Sequence, residues 1–124
     1  MSNDKNPVGG LVISEEVIAK IAAAAALDIE GVAGLTARLS DIQGLIGKDD
    51  AAKAVRVLSS DHEIKIELYL SFKLGARIRE VSDLVQRAVK DNVQNMTGRV
   101  VDTVNIHVAD IDLESAGTDG EHTA

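Results

Sequence analysis

The 124-residue chain has no cysteine, no tryptophan, a single proline and only two aromatic residues, Tyr69 and Phe72. Without cysteine there can be no disulfide and no thiolate metal site. With two aromatics, any core must be built from Val, Ile, Leu and Ala. No apolar run approaches the roughly 20 residues that a bilayer-spanning helix needs. The charge-free stretch at the alanine block, Ile21 to Leu27, holds seven residues. The opening MSNDKNPVGG also lacks the basic and apolar regions of a secretory signal. These absences predict a cytoplasmic chain that does not itself insert into a membrane.

What is present fits one domain, with 45% apolar and 27% charged residues, near the balance of ordinary globular proteins. The formal charge of −7 is unevenly placed. Residues 110–124 carry Asp110, Asp112, Glu114, Asp119 and Glu121 with no Lys or Arg, whereas residues 1–109 are close to neutral. The sequence therefore divides into a flexible N-terminal arm at 1–8, one domain at 9–111, and a small-residue acidic tail at 112–124 that reads as disordered. That acidity opposes phosphate backbones and argues against nucleic acid as a partner.

The pattern of the domain is β-α-β-β-α-β. A short apolar strand, Leu11-Val12-Ile13, leads to Ser14, a good N-cap followed by Glu15 and Glu16 in the first turn, where the helix dipole favours carboxylates. The first helix runs to about Leu27, and a period near 3.6 places Val17, Ile18, Ile21 and Ala25 on its inner side. Gly31 supplies a stop. Residues 36–53 are harder to read, with one short helical turn expected from Arg38 to Leu45 and a charged turn at Lys48–Asp50. From Val55 the period becomes two. Ile64, Ile66, Leu68 and Leu70 alternate with Lys65, Glu67 and Tyr69, and SSDH at 59–62 joins this strand to Val55–Leu58. Gly75 precedes a second helix, Ile78 to Met96, with a stripe of Ile78, Val81, Leu84, Val85, Ala88, Val89 and Met96, and Gly98 ends it. A last strand spans Val100 to Ala109. Two helices with one apolar stripe each, and strands with one apolar face each, are all buried by an α+β two-layer sandwich. Both helices then lie on one face of a mostly antiparallel sheet. The other face would be open and polar, carrying Arg56, Lys65, Glu67, Tyr69, Asn105 and His107.

No catalytic constellation emerges. There is no nucleophile motif, the histidines at 62, 107 and 122 lack metal-ligand spacing, and adjacent carboxylates such as Glu15/Glu16 and Asp49/Asp50 diverge instead of framing a substrate. The reading is of a non-enzyme with no cofactor and no metal. Two G-x-x-G strings occur, Gly31–Gly34 and Gly44–Gly47. The first follows a helix, as in the nucleotide clamp of a KH domain, so a KH-like RNA-binding module is the alternative reading. Its Val and Ala, and the neighbouring Asp28 and Glu30, are poor company for phosphate. Ala19, Ala23 and Ala26 form the back of the first helix, which is either plain helix former or a smooth surface for a partner. Arg77, Arg79 and Lys90 form a cationic strip that is either solvated or a docking patch. Tyr69 is the one aromatic on the open sheet face.

The segments GLVISEEVIAKIAAAAALDIEGVAGL at 10–35 and LGARIREVSDLVQRAVKDNVQNMTGRVVDTVNIHVADI at 74–111 resemble the bacterial alkaline-shock-protein family, also called the envelope stress response family. Leu74, where an aromatic is frequent, and Ala54, where many members have Gly, depart from its pattern. The resemblance carries over no catalytic residue. It implies a non-enzymatic protein of the envelope or alkaline stress response. It also implies self-association, and docking on an integral-membrane anchor protein at the cytoplasmic face of the membrane.

Overall fold

The computed structural model describes residues 9–36 and 51–113. Its elements are α1 (Glu15–Leu27), β1 (Val32–Leu35), α2 (Ala51–Ala54), β2 (Val55–Ser59), β3 (Ile64–Lys73), α3 (Ile78–Thr97) and β4 (Val101–Asp112). The arm at 1–8, the turn expected at Arg38–Leu45, the charged turn at Lys48–Asp50, Gly44–Gly47, and residues 114–124 of the tail lie outside the described residues.

β3 is the centre of the sheet. β2 pairs with its first half and β1 with its second half on one side, both antiparallel, while β4 runs parallel to it along the other side. The sheet is thus mostly antiparallel, and α1 and α3 cover one face of it, giving the expected two-layer α+β sandwich. Strict alternation along β3 sends Ile64, Ile66, Leu68, Leu70 and Phe72 into the core. β4 keeps its own apolar residues inward only because its register shifts beside Asp102 and Ala109. An unbroken period of two would put Val101 and Val104 on opposite faces, and the extra residue lets both be buried.

The expected first strand is not formed. Leu11 and Val12 are 81% and 92% exposed, and the strand preceding β2 in the sheet is Val32–Leu35. Three residues ahead of a helix cap make too short a ladder. Glu15, immediately after the cap, also spends a carboxylate oxygen on the Ser59 amide at 3.2 Å. The Ser14 cap itself is made, its hydroxyl accepting from the Val17 amide at 3.2 Å.

Each helix buries part of its expected inner side, Ile18 and Ala25 on α1 and Val81, Val85 and Val89 on α3, and departs from the rest. α1 buries Ile18, Ala19, Ala22, Ala23, Ala25 and Ala26, leaving Val17 46% exposed and Ile21 half-buried. Two rows of methyl-sized side chains make a broad flat face. That face fits the narrow space beside α3 and the sheet, where a Val17–Ile21 edge would hold the helix off. α3 buries a ladder of Val81, Val85, Val89 and Val93, with Ile78, Leu84 and Met96 outward.

The C-terminal end of α3 is held by polar contacts. Gly98 takes the left-handed conformation at φ +75°, which ends the helix. Gln94 Oε1 then accepts from the Val101 amide at 3.0 Å, and Arg99 reaches Ser59 Oγ at 3.1 Å and the Ser60 carbonyl. Gln86 Nε2 donates to the Val104 carbonyl at 2.9 Å, tying the helix to β4.

Gly31 is where α1 turns into β1. It sits at φ +104°, its carbonyl accepts from the Lys73 amide at 2.9 Å, and a Cβ there would stand 2.8 Å from Val81 Cγ2. Gly31→Ala therefore meets both a backbone and a steric penalty, and should lower stability by about 2–4 kcal/mol, read as a lower urea midpoint at unchanged slope.

Candidate interaction surface

The open face of the sheet forms as the alternation dictates. In register, Arg56 lies opposite Glu67, Glu67 opposite Asn105, Tyr69 opposite His107 and Lys65 opposite Thr103. Paired residues share a face, so these side chains stand together on the side away from the helices. Tyr69 and His107 stack with ring centroids 4.3 Å apart and planes 5° from parallel. His107 Nε2 lies 3.8 Å from Glu67 Oε1, a contact that becomes an ion pair when the imidazole is protonated.

The cationic residues distribute unevenly around this cluster. Arg79 borders a depression of about 470 Å³ between α3 and β4, shared with Glu67, Asp83, Gln86, Asn105 and His107. Lys90 borders a neighbouring one with Arg87, Asp102 and Thr103. Arg77 stays at the start of α3, exposed and 3.4 Å from Glu80. The fold thus brings Arg79 close to the Tyr69–His107 cluster, places Lys90 further along the same side of α3, and leaves Arg77 out of both depressions. Their acidic neighbours make this a mixed surface and not a cationic strip.

Two expectations are corrected. Ala19, Ala23 and Ala26 are not an exposed surface: they are 2%, 4% and 0% exposed and belong to the core. Their shortness lets α1 pack closely, which is why the helix turns them inward. The Gly31–Gly34 string is not a nucleotide clamp. Gly31 is buried, and Val32 and Gly34 are in β1, paired with Phe72 and Ser71. Strand residues in a ladder cannot form a free phosphate loop, so the KH-like reading is withdrawn.

Missed by the sequence reading is a groove of about 430 Å³ on the outer side of the helix layer, lined by Val17, Ile21, Ala24, Ala88, Asn92 and Met96. Leu27 and Leu84 are exposed on the same two helices. The available signal is steric: once two alanine rows are placed against the sheet, the bulkier Val17 turns outward and Ile21 is left at the margin of the core. Among the described residues, no group of three or more His, Asp or Glu converges as a metal site, and no helix is long and apolar enough to cross a membrane.

The burial of Ala23 has a direct consequence. Ala23→Glu would place an unpaired carboxylate in the core, costing about 3 kcal/mol or more. The expected result is loss of the cooperative thermal transition; an unchanged midpoint would contradict the placement of α1.

Comparison with known proteins is informative at the level of the family. The chain is 34% identical over 110 residues to the uncharacterized protein Spy1614 of Streptococcus pyogenes serotype M6, covering 86% of this chain and 91% of that one. It is 36% identical over 103 residues to the uncharacterized protein YloU of Bacillus subtilis (strain 168), covering 81% and 86%. To the uncharacterized protein YqhY of the same strain it is 29% identical over 116 residues, covering 93% and 86%. Among solved structures, a triply substituted MamM C-terminal domain matches with a TM-score of 0.47 at 15% identity, over 77% of this chain and 93% of that one; so distant a likeness carries no functional weight. Residues 3–113 match the model of the alkaline shock protein 23 family, described as having a cell envelope-related function, and the chain belongs to that family.

Proposed function

We propose that this chain is a non-enzymatic envelope stress protein that works by contact. It self-associates and docks on a membrane-anchored partner at the cytoplasmic face, without inserting into the bilayer. The observation that supports this reading is the outward aliphatic groove between α1 and α3. Exposed aliphatic side chains gathered in one groove, with Lys20, Asp28 and Asn92 at its margin, suit the apolar centre and polar rim of a contact. Val17 at 46% and Met96 at 67% exposure flank the groove. Arg79, Lys90 and Tyr69 on the other side of the molecule, with Arg77 at the start of α3, offer a second, polar surface suited to the rim of a contact. The envelope-related function of the family gives the contact its setting.

Fractionation of the native host tests this. The protein should pellet with membranes, come off in high salt or at alkaline pH without detergent, and sediment after purification as a species larger than its 13.1 kDa monomer. A protein that stays in the soluble fraction and is monomeric at high concentration would overturn the reading.

A further inference from the structure

The outer face of α1 is self-complementary about Ala24. Lys20, Ala24 and Asp28 are four residues apart and fall on one ridge of the helix, all three exposed. Val17 and Ile21 form the neighbouring ridge, and Leu27 flanks the other side. Ridges spaced by four interdigitate when two helices cross at about −50°. Laid antiparallel with Ala24 at the crossing, the ridge of one helix sets its Lys20 beside Asp28 of the other, and its Asp28 beside the other's Lys20. The same operation sets Ile21 of one copy beside Ile21 of the other, on the flank of the ridge that faces the groove. The methyl side chain of Ala24 at the centre allows close approach.

A second feature singles out Asp28. It caps the C-terminal end of α1, where the helix dipole is negative, and the last turn of the helix contains no basic residue. A carboxylate in that position is unfavourable, and a cation beside it is favourable. Within the chain Lys20 faces Glu16 instead, at 3.9 Å with both side chains more than half exposed, an arrangement that holds little energy and exchanges freely.

We infer that the helix-layer groove is covered by a second copy of this chain, in a two-fold contact formed by α1 against α1 centred on Ala24. Met96 and Ala88 of each copy close its sides. This deepens, and rests on, the reading of the chain as self-associating. Such a contact is isologous, so each charge pair occurs twice.

Sedimentation of the full chain over a concentration series tests it with charge reversals. Lys20→Asp and Asp28→Lys should each weaken the dimer roughly tenfold, because each turns two attractive pairs into two repulsive ones. The double variant should recover most of the affinity, which a merely structural effect of either substitution would not produce. As an independent readout, Ala24→Cys in this cysteine-free chain should give a covalent dimer under mild oxidation, whereas Asn105→Cys on the open sheet face should not. If the wild-type chain dimerises but the single reversals change nothing, the contact is elsewhere and this inference fails while self-association stands. If the wild-type chain is monomeric at all concentrations, with the groove left for a different partner, both fail.

Discussion

Everything distinctive about this molecule follows from how closely α1 packs. A chain with two aromatics cannot fill the space between helices and sheet with large rings, and on α1 methyl-sized side chains line much of it instead. The alanine rows of α1, Ala19, Ala22, Ala23, Ala25 and Ala26, present methyl groups to the core, and the valine ladder of α3 packs beside them. Close packing recovers in dispersion contacts part of what small side chains lose in buried area. The same constraint reaches the turn after α1. Gly31 has no room for a side chain against Val81, and only by passing there can the chain enter the sheet as β1. Of the larger aliphatic residues of α1, Ile18 stays in the core, Ile21 lies at its margin, and Val17 and Leu27 are displaced outward.

That displacement explains which parts of the fold were legible in the sequence. The long strand β3 and the helix α3 are clear, since the alternation of Ile64 to Leu70, the strand break at Gly75 and the helix stop at Gly98 are local signals. The open face was equally clear, because parity in a strand assigns every side chain to a side. The setting of α1 was not. Hydrophobic periodicity weights Val17 and Ile21 above alanine, and it is blind to the distance between layers, which is a tertiary quantity. Misplacing α1 made a docking face of its core side and hid the real outer groove. Likewise G-x-x-G at 31–34 is a loop motif on paper and a strand in the sheet, because the pairing of Val32 and Gly34 with β3 is set by residues some 40 positions away.

The parallel strand β4 was placed by sequence but its irregularity was not. Thr103, Asn105 and His107 do stand on the open face, yet Val101 reaches the core only through the shift beside Asp102. Bulges of this kind depend on the partner strand, and no residue type announces them. Their effect on the surface is concrete. The Tyr69–His107 stack and the neighbouring Glu67 fall into register because the shift has been taken up before them.

The sheet edge bears on how such a protein can associate. β4 is twelve residues long, and among the described residues its one sheet partner is β3. A long free edge invites another strand, and natural proteins oppose this with charge and bulges. β4 has both: Asp102, Asp110 and Asp112 are strung along it, with register shifts beside Asp102 and Ala109. Two copies of β4 paired antiparallel about Ile106 would bring Asp102 against Asp110, twice, with no Lys or Arg on the strand to offset them. Extension of the sheet through β4 is therefore penalised by like charge. On α1 the same two-fold operation brings Lys20 against Asp28 and joins unlike charges. Symmetry thus discriminates between the two surfaces, because a two-fold contact sets each residue against the counterpart chosen by its distance from the axis. One lysine and one aspartate equidistant from a small central residue satisfy that condition, and aspartates equidistant from Ile106 violate it.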